Sequence, residues 1–352
     1  MIHFFSQQGV VFLNQTIQSD PGFIIGPISV ALGAVINFFF NLISFITPVG
    51  ALGFSIIIMT IIVRSALLPS SFKMQRNTMK MREMKPEMDK IKAKYGDTKD
   101  PELRRKMQAE IQALNSKHGV NMLSSCLPML ITWPLFMALF AVLGQAFMFI
   151  GGVGDAYTAV SDAIIAMGPN FLEDVVLELA KPKLPVGSDI NIELTLAADL
   201  NRVIHVFNTD DWNTLFNYIS VLGSEAQLAN ILNLYEQKMA VQSFFGLNLI
   251  APSGLAWPGI ILPVLSAGTM FLSQFLMMKT NPATDDQSKM MQKVTMVIFP
   301  LMFGFFTISA SAGVGLYWTA MNVYMIVQHH FISKYYAKKD ADNLKSKSAK
   351  VE

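Results

Sequence analysis

Lysine and arginine are missing from the first 63 residues, and the first basic residue, Arg64, stands inside an apolar stretch. Cysteine is almost missing as well. The single Cys126 permits no intrachain disulfide and carries no information about redox compartment. Charged residues make up only 15% of the chain, against about 25% in soluble domains. Hydrophobic residues reach 52%, with a mean hydropathy of +0.41. This composition excludes a soluble globular domain and describes an integral membrane protein. Catalytic signatures are absent too: there is no HExxH, no nucleotide-binding loop, and no Ser/His/Asp grouping at a common depth. His3 and His205 stand alone, His118 ends a basic stretch, and His329-His330 lies at the end of an apolar run. No enzyme activity, cofactor or metal is therefore expected. The N-terminus lacks the basic region of a secretory signal, the Arg-rich pattern of a transit peptide and a lipobox cysteine. Membrane entry is expected to be directed by the chain's own apolar helices.

The longest uncharged stretches are where the chain is informative. Gly50 to Leu68 runs nineteen residues with Arg64 as its sole charge and is stopped by Pro69. That is long enough to cross the hydrocarbon core as a helix. Further apolar runs cover 122–150, with Pro128 and Pro134 able to bend it, then 257–278, 294–309 and 313–331. The last two are joined so tightly that they must form a hairpin. Ahead of them all, 27–46 is uncharged, with Ser29, Asn37, Asn41 and Ser44 at roughly helical spacing. It either spans or lies in the interface, and the polar spacing leans towards the interface.

Residues 70–120 differ in kind, holding thirteen Lys/Arg against seven Asp/Glu. Met81, Met84, Met88 and Ile91 recur at helical steps, as do Leu103, Met107, Ile111 and Leu114. Asp100 is a good N-cap with Pro101 at the first helical position. The pattern predicts two amphipathic helices in an antiparallel hairpin. Residues 149–256 reverse the charge, with twelve acidic and four basic residues. Trp212, Leu215, Phe216, Ile219 and Leu222, then Leu228, Ile231, Leu232 and Tyr235, predict a small acidic helical insertion; Pro182, Pro185 and Gly187 mark a loop in it. The tail 332–352 is lysine-rich and is expected to be disordered beyond the helix end.

Charge segregation sets the topology. With 70–120, 279–293 and the tail on the cytoplasmic side, 22 of the 27 Lys/Arg lie inside, and the acidic segment with its four lies outside. Five spans satisfy this arrangement; six do so too if 27–46 crosses.

Arg64 is the costly residue. An arginine at the centre of a membrane helix costs roughly 2.5–3.5 kcal/mol on insertion scales, and it cannot escape by losing its proton. Two readings stand open: a side chain snorkelling to the headgroups, about 7 Å away along the axis from Pro69, or a buried functional charge. Other polar residues in the runs are Ser124, Ser125, Thr132, Gln145, Gln274, Tyr317, Trp318 and Asn322. Ser and Thr satisfy their own backbone and are weak evidence, whereas the amide of Gln274 needs partners. Tyr317-Trp318 also fits an aromatic belt.

The stretch IIIMTIIVRSALLPSSFK resembles the first span of the YidC/Oxa membrane protein insertases, in its arginine and in the proline that ends it. KPEMDKIKAKYGD with KDPE, HGVNMLSSCLPMLITWPLF, FFGLNL, LPVLSAGTMFLSQFL and SASAGVGLYWTAMNVYMIVQ extend the resemblance, in order, over roughly 230 residues. It implies an all-α polytopic fold with five transmembrane helices, a preceding interfacial helix, a cytoplasmic helical hairpin and a hydrophilic groove closed on the outer side. It implies that Arg64 serves in that groove, with Gln274 and Trp318 at similar groove positions. The division expected is 1–49 with the interfacial helix, 50–69, the hairpin 70–120, 121–150, the outer segment 151–256, 257–331 and the tail 332–352. The function implied is insertion and folding of nascent membrane proteins without ATP. Expected partners are those proteins, membrane lipids, the ribosome and the Sec translocon, with no small-molecule substrate. The expected location is a bacterial plasma membrane. The long segment 151–243 and the lack of a large outer domain after an N-terminal span depart from Gram-negative members; a Gram-positive-type member with a short N-terminus is the expectation. The alternative is a transporter or channel with Arg64 on the solute path, weakened because no second charge lies within the spans. A third reading is a scaffold that assembles partner membrane proteins, with Arg64 merely snorkelling.

Overall fold

The computed structural model describes residues 22–96, 100–120, 123–183, 196–280 and 286–348. His3, Pro185, Gly187 and the side chains of Ser124, Ser125, Cys126 and Pro128 lie outside the described residues. Helices dominate. They are α1 (Gly22–Ser44), α2 (Ala51–Ala66), α3 (Leu68–Glu83), α4 (Lys85–Tyr95), α5 (Pro101–Lys117), α6 (Leu123–Gly144), the short α7 (Ala146–Phe149) and α8 (Gly151–Ile165). A helix α9 over 169–180 is π-helical across Leu172–Leu177. There follow α10 (Ala197–His205), α11 (Thr209–Leu222), α12 (Glu225–Gln242), α13 (Ile261–Thr280), α14 (Asp286–Ser309) and α15 (Ala312–Ser348). A two-stranded antiparallel ribbon pairs β1 (Ser243–Phe244) with β2 (Leu247–Asn248).

The chain is therefore all-α with several helices able to cross a membrane by length and composition. Phe23–Ser44, Ile261–Lys279 and Met290–Ser309 qualify alone, and Ala51–Ala66 qualifies jointly with Leu68–Met81 across a 52° bend. Pro69 explains that bend: it lacks an N–H, so the chain breaks at Leu67 and restarts with the proline in the first turn of α3.

Two compact units divide the chain. One comprises 1–59, 135–263 and 305–317. Its centre is a helical core in which α8 packs against α10 and α12. Val160 and Ile164 of α8, Leu200 and Val203 of α10, Leu215 and Ile219 of α11, and Ile231 of α12 are buried. Reciprocal capping boxes, Asn208 with Asp211 and Ser224 with Gln227, start α11 and α12. The apolar spacing of 212–235 thus follows the core except at its ends, where Leu222 and Leu232 are exposed. In the same unit α1 lies against the end of α6 and the residues after it. Ser29 Oγ donates to the Ile25 and Ala138 carbonyls, and Asn37 Oδ1 accepts from Gly151 N–H at 2.9 Å. Two of the four polar residues of α1 therefore point into the protein.

The other unit comprises 60–134, 264–304 and 318–352. Asp100 caps α5 by accepting from Glu102 N–H, with Pro101 in the first turn. Met84, Met88, Leu114 and Val120 form a buried cluster with Met81, Ile91 and Ile111 against it, and Lys94 pairs with Glu110 at 2.6 Å. The tail corrects the expectation of disorder, since α15 continues to Ser348. No glycine or proline occurs after Gly315 to stop it. Tyr336 Oη also donates to the Phe72 carbonyl at 3.2 Å, tying the extension to α3.

Candidate functional site

All three residues singled out in the sequence fall in the unit of 60–134, 264–304 and 318–352. Arg64 sits in the last turn of α2, half-buried. It forms no ion pair among the described residues. None of the apolar runs carries an acidic residue to offer it one. Its neighbour Ser65 meets Tyr324 Oη of α15 at 3.0 Å, which fixes the level of the arginine along that helix.

Helices α13 and α15 share a polar seam. Ser266 Oγ and Thr319 Oγ1 lie 3.3 Å apart, and Asn322 Nδ2 donates to Thr269 Oγ1 at 3.4 Å. Both pairs are separated by 53 residues, so the helices run parallel and in register. His329 continues the register on the Leu276 carbonyl. Ser266, Ser273 and Asn322 are buried. Small hydroxyls on facing turns let two membrane helices approach closely and satisfy one another where water is excluded.

That register sets the relative depth of the sites. Trp318 precedes Thr319 at the upper end of the seam, Gln274 is level with Val327, and Arg64, beside Ser65, is level with Tyr324 between them. At 1.5 Å per residue the three occupy a band about 14 Å deep. They share a depth range without touching. Trp318 is buried and packs on Phe303, ring centroids 4.1 Å apart; its burial removes the aromatic-belt reading, which needs a lipid-facing ring. Gln274 is half-buried.

The seam was the feature that sequence reasoning undervalued. Its signal was present as Ser266, Thr269 and Ser273 at helical steps on one run and Thr319 with Asn322 on another. Each hydroxyl alone is weak, and only their common offset gives them meaning.

Outside this unit, the acidic helical core holds a second unusual constellation. Lys238 of α12 is 4% exposed, its ammonium 4.5 Å from the Tyr157 ring centre, 4.9 Å from Trp212 and 5.4 Å from Tyr235. No carboxylate pairs with it among the described residues. Burial lowers its pKa to about 7. His205, stacked near Tyr157 and Phe147, falls to about 4, first through burial and then through the charge of Lys238. Asp211 instead pairs with Lys183. No group of three His, Cys, Asp or Glu is arranged to hold a metal among the described residues.

An all-helical chain with several apolar helices, an arginine within one of them and a polar seam between two others defines an integral membrane protein of the polytopic kind. The chain belongs to the 60Kd inner membrane protein family, the YidC/Oxa insertases, which matches residues 44–173 and 212–339. It is 38% identical over 111 residues to the membrane protein insertase YidC 1 of Bacillus cereus, covering 31% of this chain and 43% of that protein. It is 27% identical over 285 residues to the insertase YidC of Wolinella succinogenes, covering 81% of this chain and 34% of the other. With the insertase MisCA of Bacillus subtilis it shares 42% over 88 residues, 25% of this chain and 33% of that one. The aligned stretches span less than half the length of these curated relatives.

Proposed function

We propose that this protein inserts and helps fold nascent membrane proteins, using Arg64 as the positive charge of a hydrophilic groove. The observation that carries the reading is Arg64 itself: half-buried in an apolar helix, without an acidic partner among the described residues, in a chain of the insertase family. A charge kept there without an internal partner is matched to water and to a transient acidic group. In a low-dielectric surrounding its attraction for a carboxylate in a translocating segment is several times that in bulk water. A wet groove open to the cytoplasm and to lipid shortens the path over which the substrate's polar end is dehydrated. The substrate helix then leaves along α13 and α15 into lipid. Burial of its own apolar surface, aided by the membrane potential, drives the step, with no ATP and no covalent chemistry.

The topology in this reading has five spans, α2, α6, α13, α14 and α15, with α4–α5 as a cytoplasmic hairpin and the C-terminus inside a bacterial plasma membrane. Helix α1 is long enough to cross, but its contacts support an interfacial placement. Ser29 meets Ala138, Gly33 meets Phe149, Asn37 meets Gly151 and Phe40 meets Gly152. A helix that travels over 29–40 while its partners stay within 138–152 lies across the end of α6 rather than alongside it. The basic hairpin and the lysine-rich end of α15 are suited to ribosomal RNA, nascent chains and anionic lipid through charge, with the Sec translocon as a further partner.

Proteoliposomes holding the full chain and a single-span substrate with an acidic outer end test this reading. Arg64→Ala is expected to lower insertion at least tenfold and Arg64→Lys to restore most of it, with or without ATP depletion. Equal insertion by wild type and Arg64→Ala would remove Arg64 from the mechanism.

A further inference from the structure

The chain carries no charged residue from Met239 to Met278, yet about half of that stretch is outside any helix. Solvent-facing connections are normally polar, and this one exposes some of the largest apolar side chains of its unit. Phe245, at the tip of the β1–β2 ribbon, is 81% exposed, and Trp257, just before α13, is 80% exposed. Phe45 and Ile46, just after α1, are 92% and 82% exposed.

The ribbon is held rigidly. Phe244 packs edge-on against Phe54 of α2 with ring centroids 5.2 Å apart, and its ring fills the space above Gly53, where a Cβ would come within 2.1 Å. The ribbon tip is therefore at the level of the first turn of an apolar helix. The backbone beyond it is satisfied: Leu249 N–H donates to Gln242 O, Ser253 and Gly254 donate to Ala310 and Ile308, and Gly313 donates back to Leu249 O. Irregular backbone is tolerated beside lipid only when its polar groups are paired in this way.

The conformation at the tip is also unusual. Phe245 and Gly246 both have positive φ, +47° and +79°. A two-residue turn of that kind favours Asn-Gly, because a short polar side chain tolerates the left-handed region better than a bulky ring. A strained, exposed phenylalanine at such a site points to a use for the ring.

We propose that the ribbon tip is a lipid-inserting wedge, in which Phe245, with Trp257, Phe45 and Ile46 around it, enters the outer leaflet at the helix ends where α1 stops and α2 and α13 begin. Lipid is favoured over a protein partner because these side chains form a charge-free rim continuous with the ends of membrane-capable helices, with no groove to seat a segment. The inference rests on the membrane topology above.

The test uses the full chain with Cys126→Ser, reconstituted in phosphatidylcholine/phosphatidylglycerol vesicles. One cysteine is introduced at a time and labelled with an environment-sensitive fluorophore: Phe245→Cys, Val221→Cys on the exposed end of α11, and Ile298→Cys on α14. Acyl-chain spin-labelled lipid and aqueous iodide serve as quenchers. Position 245 is expected to be quenched several-fold more by the lipid than by iodide, and position 221 the reverse. If 298 is quenched by lipid but 245 by iodide, the topology stands and the wedge is wrong. If 245 is shielded from both, a second copy covers the tip and the lipid assignment is overturned. If 298 itself is not quenched by lipid, the topology fails and takes the wedge with it.

Discussion

Replacing Lys238 by methionine removes a charge from the aromatic core of the acidic segment while keeping a similar volume. The native ammonium is 4% exposed and faces Tyr157, Trp212 and Tyr235, with His205 nearby. Burial lowers its pKa from 10.5 to about 7. A gap of that size corresponds to about 4–5 kcal/mol between the charged and neutral forms. Attraction to the rings, about 0.5–2 kcal/mol each when desolvated, acts the other way and reduces the net effect to a few kcal/mol. The direction follows from linkage. Folded protein loses this proton before unfolded protein does, so the unfolded chain binds more protons between pH 7 and 10.5. Stability therefore rises with pH across that window, and the penalty is fully present below pH 7. In full-length protein in nanodiscs, with Trp212 as the one remaining tryptophan, denaturant unfolding is followed by fluorescence. Wild type should gain about 1 kcal/mol per pH unit between pH 7.5 and 9.5 relative to Lys238→Met. The variant should be the more stable of the two at pH 6. Parallel pH curves would show that the lysine keeps its proton and that the rings outweigh burial.

Two further substitutions probe the packing. Gly53→Ala forces a methyl group into the Phe244 ring, where the approach is 2.1 Å, and should destabilise by about 1–3 kcal/mol, read as a lowered midpoint in thermal unfolding; an unchanged midpoint would mean the ribbon is not seated on α2. A double-mutant cycle on Thr269→Ala and Asn322→Ala should give a coupling of about 0.6 kcal/mol, the average for such pairs in membranes. A coupling of zero would dissolve the seam between α13 and α15.

Much of this architecture was legible locally. Helix α5 begins at Asp100-Pro101 because a carboxylate cap and a residue without an N–H suit the first turn in any context. The bend after Arg64 follows from Pro69 for the same kind of reason. Arg64, Gln274 and Trp318 stood out because polarity within an apolar run is visible residue by residue, and the structure puts them in one unit at comparable depth. The seam was not legible, because Ser266 and Thr319 are each unremarkable until two helices 53 residues apart are set side by side.

Sequence by itself determined the apolar runs, their approximate ends, the segregation of basic from acidic segments and the amphipathic stripes, all properties of period and composition within a few turns. Tertiary structure alone decided that Ser29 and Asn37 turn into the protein, that Trp318 is covered by Phe303, that α15 continues to Ser348 against Phe72, and that Lys238 is enclosed by three rings. The physical reason is common to all four. Which face of a helix is covered depends on partners distant in sequence, and the desolvation that makes a lysine or an arginine costly exists only once those partners are in place.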